Sequence, residues 1–226
     1  MRAPAYRVLA DDLRSQITSG QLRPGDRLPT EPQLCRDSGV SRSTVREALR
    51  LLASQHLIVT TRGVAGGSFV AHPSAEQLSD TLATGVRLMQ ATAVVDASHL
   101  LEVRSLLDVA ATGYAAQRHG PEQLEAIRGA LFDPHTAEVE EMCALHPVFH
   151  RALVAASANP VMELISAPLH AVVNIRELVA GLGRDFWIRV DADHREILDA
   201  VTARDVAAAE AAAIMHLDHL RETFAP

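Results

Sequence analysis

Residues 39–52, GVSRSTVREALRLL, predict a tight turn followed by an amphipathic helix. Gly39 and Val40 suit the turn, and Ser41 is a residue type that caps helix N-termini. Three aliphatic residues recur at helical spacing and predict a face that packs on a small core: Val45, Leu49 and Leu52.

The polar residues of this helix fall largely off its aliphatic stripe: Arg42, Ser43, Arg46 and Arg50. Arginine can fork onto guanine edges in the major groove of DNA, and Ser or Thr hydroxyls together with the helix N-terminus can hold phosphate. By itself, the segment is equally compatible with a solvated amphipathic helix. The flanking sequence decides between these two interpretations.

The composition of the chain is that of a folded protein with one large or two modest domains. It has 226 residues, of which 48% are hydrophobic, enough for sizeable cores. No apolar run is long enough to span a membrane, and the N-terminus, MRAPAYRVLADD, lacks the apolar core of a signal peptide. Cys35 and Cys143 have no metal-site spacing. Because we see neither an export signal nor a membrane span, we expect reduced thiols in a cytoplasmic protein that has no membrane partner.

Charge divides the chain into a basic first third and an acidic remainder. Residues 1–73 hold 10 Arg against 6 Asp and Glu, a net charge of +4. The remainder holds 11 against 22, a net charge of −11, which gives −7 for the whole chain. The total alone would argue against a nucleic-acid partner, but the asymmetry predicts two domains with different partners. We place the domains at residues 1–73 and 74–226, with the boundary at Pro73–Ala75.

The sequence on both sides of the arginine-bearing helix completes a winged helix-turn-helix pattern. Residues 5–19 predict an amphipathic helix, and the loop GQLRPGDRLPTE leads to a second helix, EPQLCRDS, that Thr30 can cap. HLIVTTRG and GGSFVAH predict two short strands around a glycine-rich tip, a small β-hairpin or wing. GVAGG is a weak candidate for phosphate binding, because no Lys-Ser/Thr pair follows it and no βαβ unit surrounds it.

The run GQLRPGDRLPTEPQLCRDSGVSRSTVREALRLLASQHLIVTTRGVAGGSFV is very similar to the winged helix-turn-helix domain of GntR-type bacterial transcription regulators. The resemblance covers nearly all of residues 5–72, with the motifs in the family's order and spacing. It implies that double-stranded operator DNA is bound by the following residues, the last two reaching the minor groove: Ser41, Arg42, Ser43, Thr44, Arg46, Arg62 and Gly63. Pro32 stands where the family often has a DNA-contacting arginine, so we expect that contact to be absent.

Residues 74–226 predict an all-α domain, because no stretch alternates with period two. Proline, glycine and polar breaks separate helices expected at 74–93, 94–118, 121–131, 136–157, 160–181, 186–202 and 205–223. The first of these is expected to have one apolar side, formed by Leu78, Leu82, Val86 and Met89. The chain is therefore predicted to be mainly α: an N-terminal winged helix-turn-helix with a small β-hairpin wing, then a C-terminal all-α bundle of six or seven helices.

Most of the 11 histidines lie in the second domain. His146 and His150 are four residues apart and share a helical face, while His194 and His216 fall on the last two helices. If those helices form an antiparallel hairpin, four imidazoles from three helices could close around one divalent metal. A histidine pair at this spacing is also commonplace on the surface of an acidic protein. Four further histidines show that the residue type alone is not diagnostic: His119, His135, His170 and His219.

Residues 76–223 resemble the all-helical FCD effector domain of the FadR-like branch of the GntR regulators, through LEVRSLLDVAA, FHRALVAASANPVM and HREILDAVTARDVAAAEAAAIMHL. Many members hold a metal through an aspartate, the FH histidine four residues later and two later histidines. The matching positions are His146, His150, His194 and His216, with His146 in place of the aspartate. Four neutral imidazoles would leave the ion its full charge and favour Zn²⁺ or Ni²⁺ over Mg²⁺ or Ca²⁺.

Arg104, in LEVRSLL, is a candidate effector contact. A guanidinium inside the bundle would be an expensive buried charge unless it met an anion, and the resemblance implies that the matching arginine helps bind a carboxylate effector. The alternative is an exposed helix arginine paired with Glu102 or Asp108. Asn174 and Arg176 are further candidates for the effector pocket.

Together these patterns favour a ligand-responsive, homodimeric transcription regulator rather than an enzyme, with a basic DNA-binding domain and an acidic helical sensor. A small carboxylate bound at the metal and Arg104 would bias the spacing of the two DNA-binding domains. A histidine-ligated metal hydrolase is a second hypothesis, although no HExxH motif is present and the DNA-binding pattern would be unexplained. A third hypothesis is a helical domain whose metal is purely structural.

Overall fold

A computed structural model describes residues 3–63, 66–72, 74–172 and 183–224 of the chain. Contacts between residues divide the chain into two compact units, Met1–Ser74 and Ala75–Pro226. The described residues contain ten helices and one two-stranded sheet, so the prediction of a mainly α chain is confirmed. Among these residues, no helix has the length and apolar character needed to cross a membrane.

The first unit is a three-helix domain that carries a β-hairpin. Its elements are α1 (Ala5–Thr18), α2 (Glu31–Ser38), α3 (Arg42–Ser54), β1 (Ile58–Thr61) and β2 (Gly67–Val70). The strands pair antiparallel, with Ile58 opposite Val70 and Thr61 opposite Gly67. The predicted winged helix-turn-helix architecture is therefore confirmed.

Local chemistry sets the turn between α2 and α3. Gly39 ends α2 in the left-handed conformation, with a φ of 67°, where the missing Cβ avoids strain. The Ser41 hydroxyl accepts a hydrogen bond from the Thr44 N–H at 3.2 Å, which satisfies a donor that the first helical turn leaves unpaired. The predicted turn at Gly39 and the predicted cap at Ser41 are both confirmed.

Burial orients α3 within this unit. Val45, Ala48 and Leu52 are fully buried against the core that α1 completes with Leu9 and Leu13. Each buried Val or Leu side chain contributes roughly 1.5–3 kcal/mol relative to an exposed one. The opposite side of α3 therefore remains in solvent.

The second unit is all-α over its described residues. Its helices are α4 (Ala75–Ala91), α5 (Ala97–Arg118), α6 (Pro121–Arg128), α7 (Val139–Ala156), α8 (Pro160–Val172), α9 (Arg184–Thr202) and α10 (Val206–Phe224). The main core lies among α5, α7, α9 and α10 and includes Phe149, Leu153, Ile197, Val201 and Ala212. The central helices of the bundle therefore direct their inner faces towards one another.

Four details of this unit differ from the sequence prediction. Helix α5 begins at Ala97 rather than at residue 94, because the Asp96 carboxylate caps it by accepting a hydrogen bond from the His99 N–H at 3.1 Å. Helix α6 ends at Arg128 rather than near residue 131, and α7 begins at Val139 rather than at residue 136. On α4 the expected apolar side is largely exposed at Leu78, Leu82 and Met89, and the helix packs inward through Ala83 and Val86.

Candidate functional site

Four buried histidines converge where α7, α9 and α10 meet. His146 and His150 lie on α7, His194 on α9 and His216 on α10. One ring nitrogen from each lies within 4.8 Å of one from each of the others, and no side chain of the four is more than 3% exposed. The structure therefore brings together all four residues of the predicted ligand set, from three helices; we call them the histidine centre.

Packing fixes the orientation of these rings. The one-turn spacing on α7 places His146 beside His150, with ring centroids 4.8 Å apart. Phe149 stacks flat on His194, with centroids 3.9 Å apart and an interplanar angle of 8°. The fully buried Trp187 lies edge-on to His146, with centroids 6.4 Å apart. The histidine centre is thus walled by aromatic rings.

The turn between α9 and α10 places His194 and His216 on facing arms. Arg204 sits in this turn with a φ of 58°. Its guanidinium donates hydrogen bonds to the carbonyl oxygens of Gln117 at 3.0 Å and His119 at 2.9 Å. These bonds tie the α9–α10 hairpin, which the sequence analysis considered as one possibility, to the C-terminal end of α5 and anchor it at its turn.

Several nitrogens of the histidine centre have no hydrogen-bond partner among the described residues. They are His146 Nε2 and both ring nitrogens of His194. An unsatisfied buried polar group costs about 1–3 kcal/mol. Lone pairs that converge on one point from several neutral imidazoles are the donor set of a zinc-type ion, so these residues fit a divalent metal.

Two carboxylates lie behind the other two imidazoles. Asp193 Oδ2 accepts a hydrogen bond from His216 Nδ1 at 3.2 Å, and Asp108 Oδ2 lies 3.8 Å from His150 Nδ1. With its Nδ1 proton directed at Asp193, His216 has a lone pair on Nε2, which lies 3.3 Å from His150 Nε2, within hydrogen-bond distance. A carboxylate behind a ligating imidazole is the usual outer partner in zinc sites.

The electrostatics keep the histidine centre uncharged. Burial lowers the pKa of His146, His150 and His194 well below the ordinary histidine value, and the neighbouring Arg104 charge lowers each pKa further. Burial also lowers the pKa of His216, although its hydrogen bond to Asp193 acts in the opposite direction. Neutral imidazole is the form that binds metal ions.

Arg104 is buried, as expected for an effector contact, but it already has an anionic partner. Its Nη2 donates to Asp108 Oδ2 at 3.0 Å, one turn further along α5. Asp108 also accepts from His170 Nε2 at 3.0 Å. Burial raises the pKa of Asp108, but Arg104 and His170 outweigh that effect and hold the pKa below its ordinary value. The alternative of an exposed arginine is therefore wrong, although its pairing with Asp108 is present, and the role of Arg104 as an effector contact stays a prediction.

Asn174 and Arg176, the other predicted effector contacts, lie outside the described residues. Sequence reasoning named Asp108 as a possible partner of Arg104, at a spacing of four residues that suits such a pair. It did not predict the contacts of Asp193, Asp108 and His170 around the histidine centre. The contacts of Asp193 and His170 are tertiary, so spacing could not indicate them.

The predicted DNA-binding residues lie on the first unit's solvent side. We call the exposed side of α3 its polar face: Arg42, Ser43, Arg46 and Arg50. Arg62 and Gly63 are exposed where β1 leads into the hairpin tip, and Gly63 has a φ of 113° that favours glycine. The Ser41 Oγ lies 2.8 Å from the hydroxyls of Ser43 and Thr44, so three hydroxyl groups cluster at the N-terminus of α3.

Both units match known protein families. Residues 5–70 match the family described as bacterial regulatory proteins, gntR family, and residues 99–219, more than half of the chain, match the FCD domain. The chain belongs to the GntR family. Its helical unit carries the FCD domain, in agreement with the resemblance inferred from the sequence.

Several GntR-family proteins resemble this one over most of their length. The HTH-type transcriptional regulator LutR of Bacillus subtilis (strain 168) is 30% identical over 216 residues, 91% of this chain and 94% of LutR. The putative L-lactate dehydrogenase operon regulatory protein of Escherichia coli (strain K12) is 27% identical over 220 residues, 95% of this chain and 84% of that protein. The solved structure of Streptococcus agalactiae GntR is alike in fold, with a TM-score of 0.63, 22% identity and coverage of 96% of this chain and 99% of that one. This GntR-family chain is therefore a DNA-binding transcription regulator of the GntR/FCD type.

Proposed function

We propose that this regulator binds operator DNA as a homodimer in the cytoplasm and responds to a small carboxylate held at a divalent metal in the FCD domain. The observation that carries the proposal is the histidine centre, whose buried lone pairs converge within 4.8 Å with several nitrogens unpartnered. Its presence in one chain with the exposed polar face of α3 supports a sensor joined to a DNA-binding domain.

Zn²⁺ or Ni²⁺ suits the proposed site better than a hard cation. His146, His150, His194 and His216 would hold the ion, and all four offer imidazole nitrogen, whereas Mg²⁺ and Ca²⁺ prefer oxygen. A bound ion would supply a positive centre for the oxygens of an effector. Since all four ligands are neutral, the ligands themselves would cancel none of that charge.

A bound metal and Arg104 together would favour an anionic effector. Arg104 is close enough to lower the pKa of all four histidines, but Asp108 pairs with Arg104 and Asp193 with His216. The positive charge that attracts an anion would therefore come mainly from the ion. A relative is named for the operon of L-lactate dehydrogenase, which supports a 2-hydroxy acid, whose carboxylate and hydroxyl can chelate one ion. Arg104 would then bind the effector carboxylate in competition with Asp108.

A homodimer would present two copies of α3 to the two halves of a palindromic operator. By linkage, an effector changes DNA affinity only if it binds the DNA-competent and DNA-incompetent forms of the dimer with different affinities. The proposed function therefore requires effector and DNA to change each other's affinity by the same factor.

Metal analysis of the untagged protein, followed by calorimetry, tests the sensor half of the proposal. We expect about one Zn²⁺ or Ni²⁺ per chain, and then binding of lactate or a related 2-hydroxy acid from a panel that also includes sugar acids, amino acids and fatty acids. The His194→Ala variant should lose both, whereas His135→Ala, which alters an exposed histidine, should keep both. If the protein binds metal but none of the acids, the metal has a purely structural role.

Selection from a library of random DNA duplexes tests the DNA-binding half. We expect the wild-type protein to enrich one palindromic sequence, and a gel-shift titration on that duplex to respond to the acid found by calorimetry. Equal binding to the enriched duplex and to competitor DNA would contradict a regulator. Hydrolysis of ester or amide substrates that disappears in His150→Ala would point instead to a metal hydrolase.

A further inference from the structure

An ion pair crosses from the start of α2 to the polar face of α3. Both carboxylate oxygens of Glu31 accept from the Nε–H of Arg46, at 3.0 and 3.2 Å. The residues are 15 apart in sequence, so the contact depends on the packing of α2 against α3. The Arg46 side chain nevertheless stays 61% exposed, which leaves its outer end open to a partner.

The other arginines of the polar face are held differently. Arg50 lies 3.5 Å from Glu47, three residues away on the same helix, and both side chains are more than half exposed. Arg42 is exposed, and it takes no part in the ion pairs among the described residues of the first unit. Arg46 is therefore the arginine of this face that a second helix holds in place.

The atoms used in this pair leave the terminal amino groups of Arg46 available. Guanine presents two acceptors, O6 and N7, to the major groove, and arginine meets them with a pair of parallel N–H donors. With Nε engaged by Glu31, Nη1 and Nη2 form such a pair. Fixing the guanidinium before DNA arrives also reduces the rotamer freedom that is lost on binding.

Glu31 has a second and opposite effect on DNA binding. Its negative charge repels phosphate, and this repulsion weakens binding to every sequence alike. A carboxylate that lowers non-specific binding and orients a base-reading arginine raises the ratio of specific to non-specific affinity. A surface ion pair with a merely structural role would not change that ratio.

We infer that Glu31 determines sequence specificity by positioning Arg46 for end-on contact with one guanine in each half of the operator. The inference rests on the proposed function, because it requires sequence-specific DNA binding. Glu31 acts through Arg46 and is a positioning residue.

The test compares three full-length proteins: the wild type, Glu31→Ala and Glu47→Ala. Each is used to select from a library of random DNA duplexes, and affinities are then measured for the wild-type duplex, for versions with single G·C pairs replaced by A·T, and for an unrelated duplex. Glu47→Ala is the matched control, because it removes the same charge from the polar side of the same unit and frees Arg50 instead.

We expect Glu31→Ala to lose about tenfold of the guanine preference at one position in each half-site, while its affinity for unrelated DNA stays equal or rises. Glu47→Ala should keep the guanine preference. Glu31→Gln, which retains one acceptor oxygen, should be intermediate and replaces Glu31→Ala if that variant does not fold. An unchanged guanine preference in the Glu31 variants would overturn this role alone, whereas a wild type that selects no sequence would overturn the proposed function and this role with it.

Discussion

The polar face of α3 and the histidine centre hold their functional groups under opposite conditions. The arginines of α3 are exposed, whereas the four histidines are at most 3% exposed. A solvated charge without a ligand is satisfied by water, but a buried imidazole without a ligand is not. We therefore expect substitutions on the polar face of α3 to affect DNA binding alone. Substitutions at the histidine centre should affect both ligand binding and the stability of the fold.

The largest difference between the two regions should appear when the pH is lowered. The folded metal-free protein resists protonation because burial lowers the pKa of His146, His150, His194 and His216, whereas the unfolded chain takes up protons near pH 6.5. The unfolded state therefore binds more protons below about pH 6.5. As the pH is lowered through that range, the free energy of unfolding should fall by on the order of 1 kcal/mol per histidine per pH unit.

Urea unfolding of chelator-treated protein at about pH 7.5 and about pH 5.5, followed by circular dichroism, measures this loss. The lowered pKa values of Asp108 and Asp193 place their own contributions below this window, because they are lost only as the pH falls through those values. A His194→Ala protein should show a shallower pH dependence. Equal stability of the wild type at both pH values would contradict the burial argument.

The next largest effect should come from the removal of one imidazole. His194→Ala deletes a ring whose two nitrogens have no other partner, so we expect metal affinity to fall by at least about 100-fold. Titration with Zn²⁺ in a calorimeter measures the change. His135→Ala provides the control, and similar affinities for the two variants would show that His194 is not a ligand.

A smaller effect is expected from the carboxylate behind the metal ligands. Asp193 accepts from His216 Nδ1 at 3.2 Å and from His219 Nδ1 at 2.9 Å. Asp193→Asn keeps the shape but weakens this support, so metal affinity should fall about tenfold with unchanged stoichiometry. Asp218→Asn alters an exposed carboxylate on α10 and should bind metal like the wild type. Loss of affinity in both variants would instead indicate a general charge effect.

The smallest effect on the protein itself should come from Arg42→Ala. This exposed residue of the polar face should contribute to DNA affinity, and we expect about a tenfold loss on the selected duplex, measured by gel shift. The unfolding midpoint and metal content should not change. Arg189→Ala removes an exposed arginine from the helical unit and should leave DNA affinity intact; destabilisation by Arg42→Ala would break the contrast between the two regions.

The structure of the first unit could be predicted from short-range sequence patterns. Gly39 and Ser41 act within a few residues of themselves, so their roles in the turn and the cap could be predicted, as could the burial of Val45 and Leu52. The exposed apolar residues of α4 were not predicted, because periodicity indicates that a helix has an apolar side but not what covers it.

The candidate site divides in the same way. The family resemblance gave the four histidines of the centre, and helical spacing allowed the Arg104–Asp108 pair. The bonds of Asp108 to His170 and of Asp193 to His219 join residues on different helices. Glu31 and Arg46 likewise meet only because α2 packs on α3. Such contacts depend on helix packing, which no local pattern in one sequence specifies.

The position of Trp187 makes the protein its own optical probe. It is the only tryptophan of the chain, and its ring stands edge-on to His146 with centroids 6.4 Å apart. An ion seated among the histidines would lie beside the sole indole fluorophore. Open-shell Ni²⁺ would quench this emission, whereas Zn²⁺, with its filled d shell, would not. The fluorescence of unlabelled protein would therefore report the binding of Ni²⁺ and distinguish it from Zn²⁺.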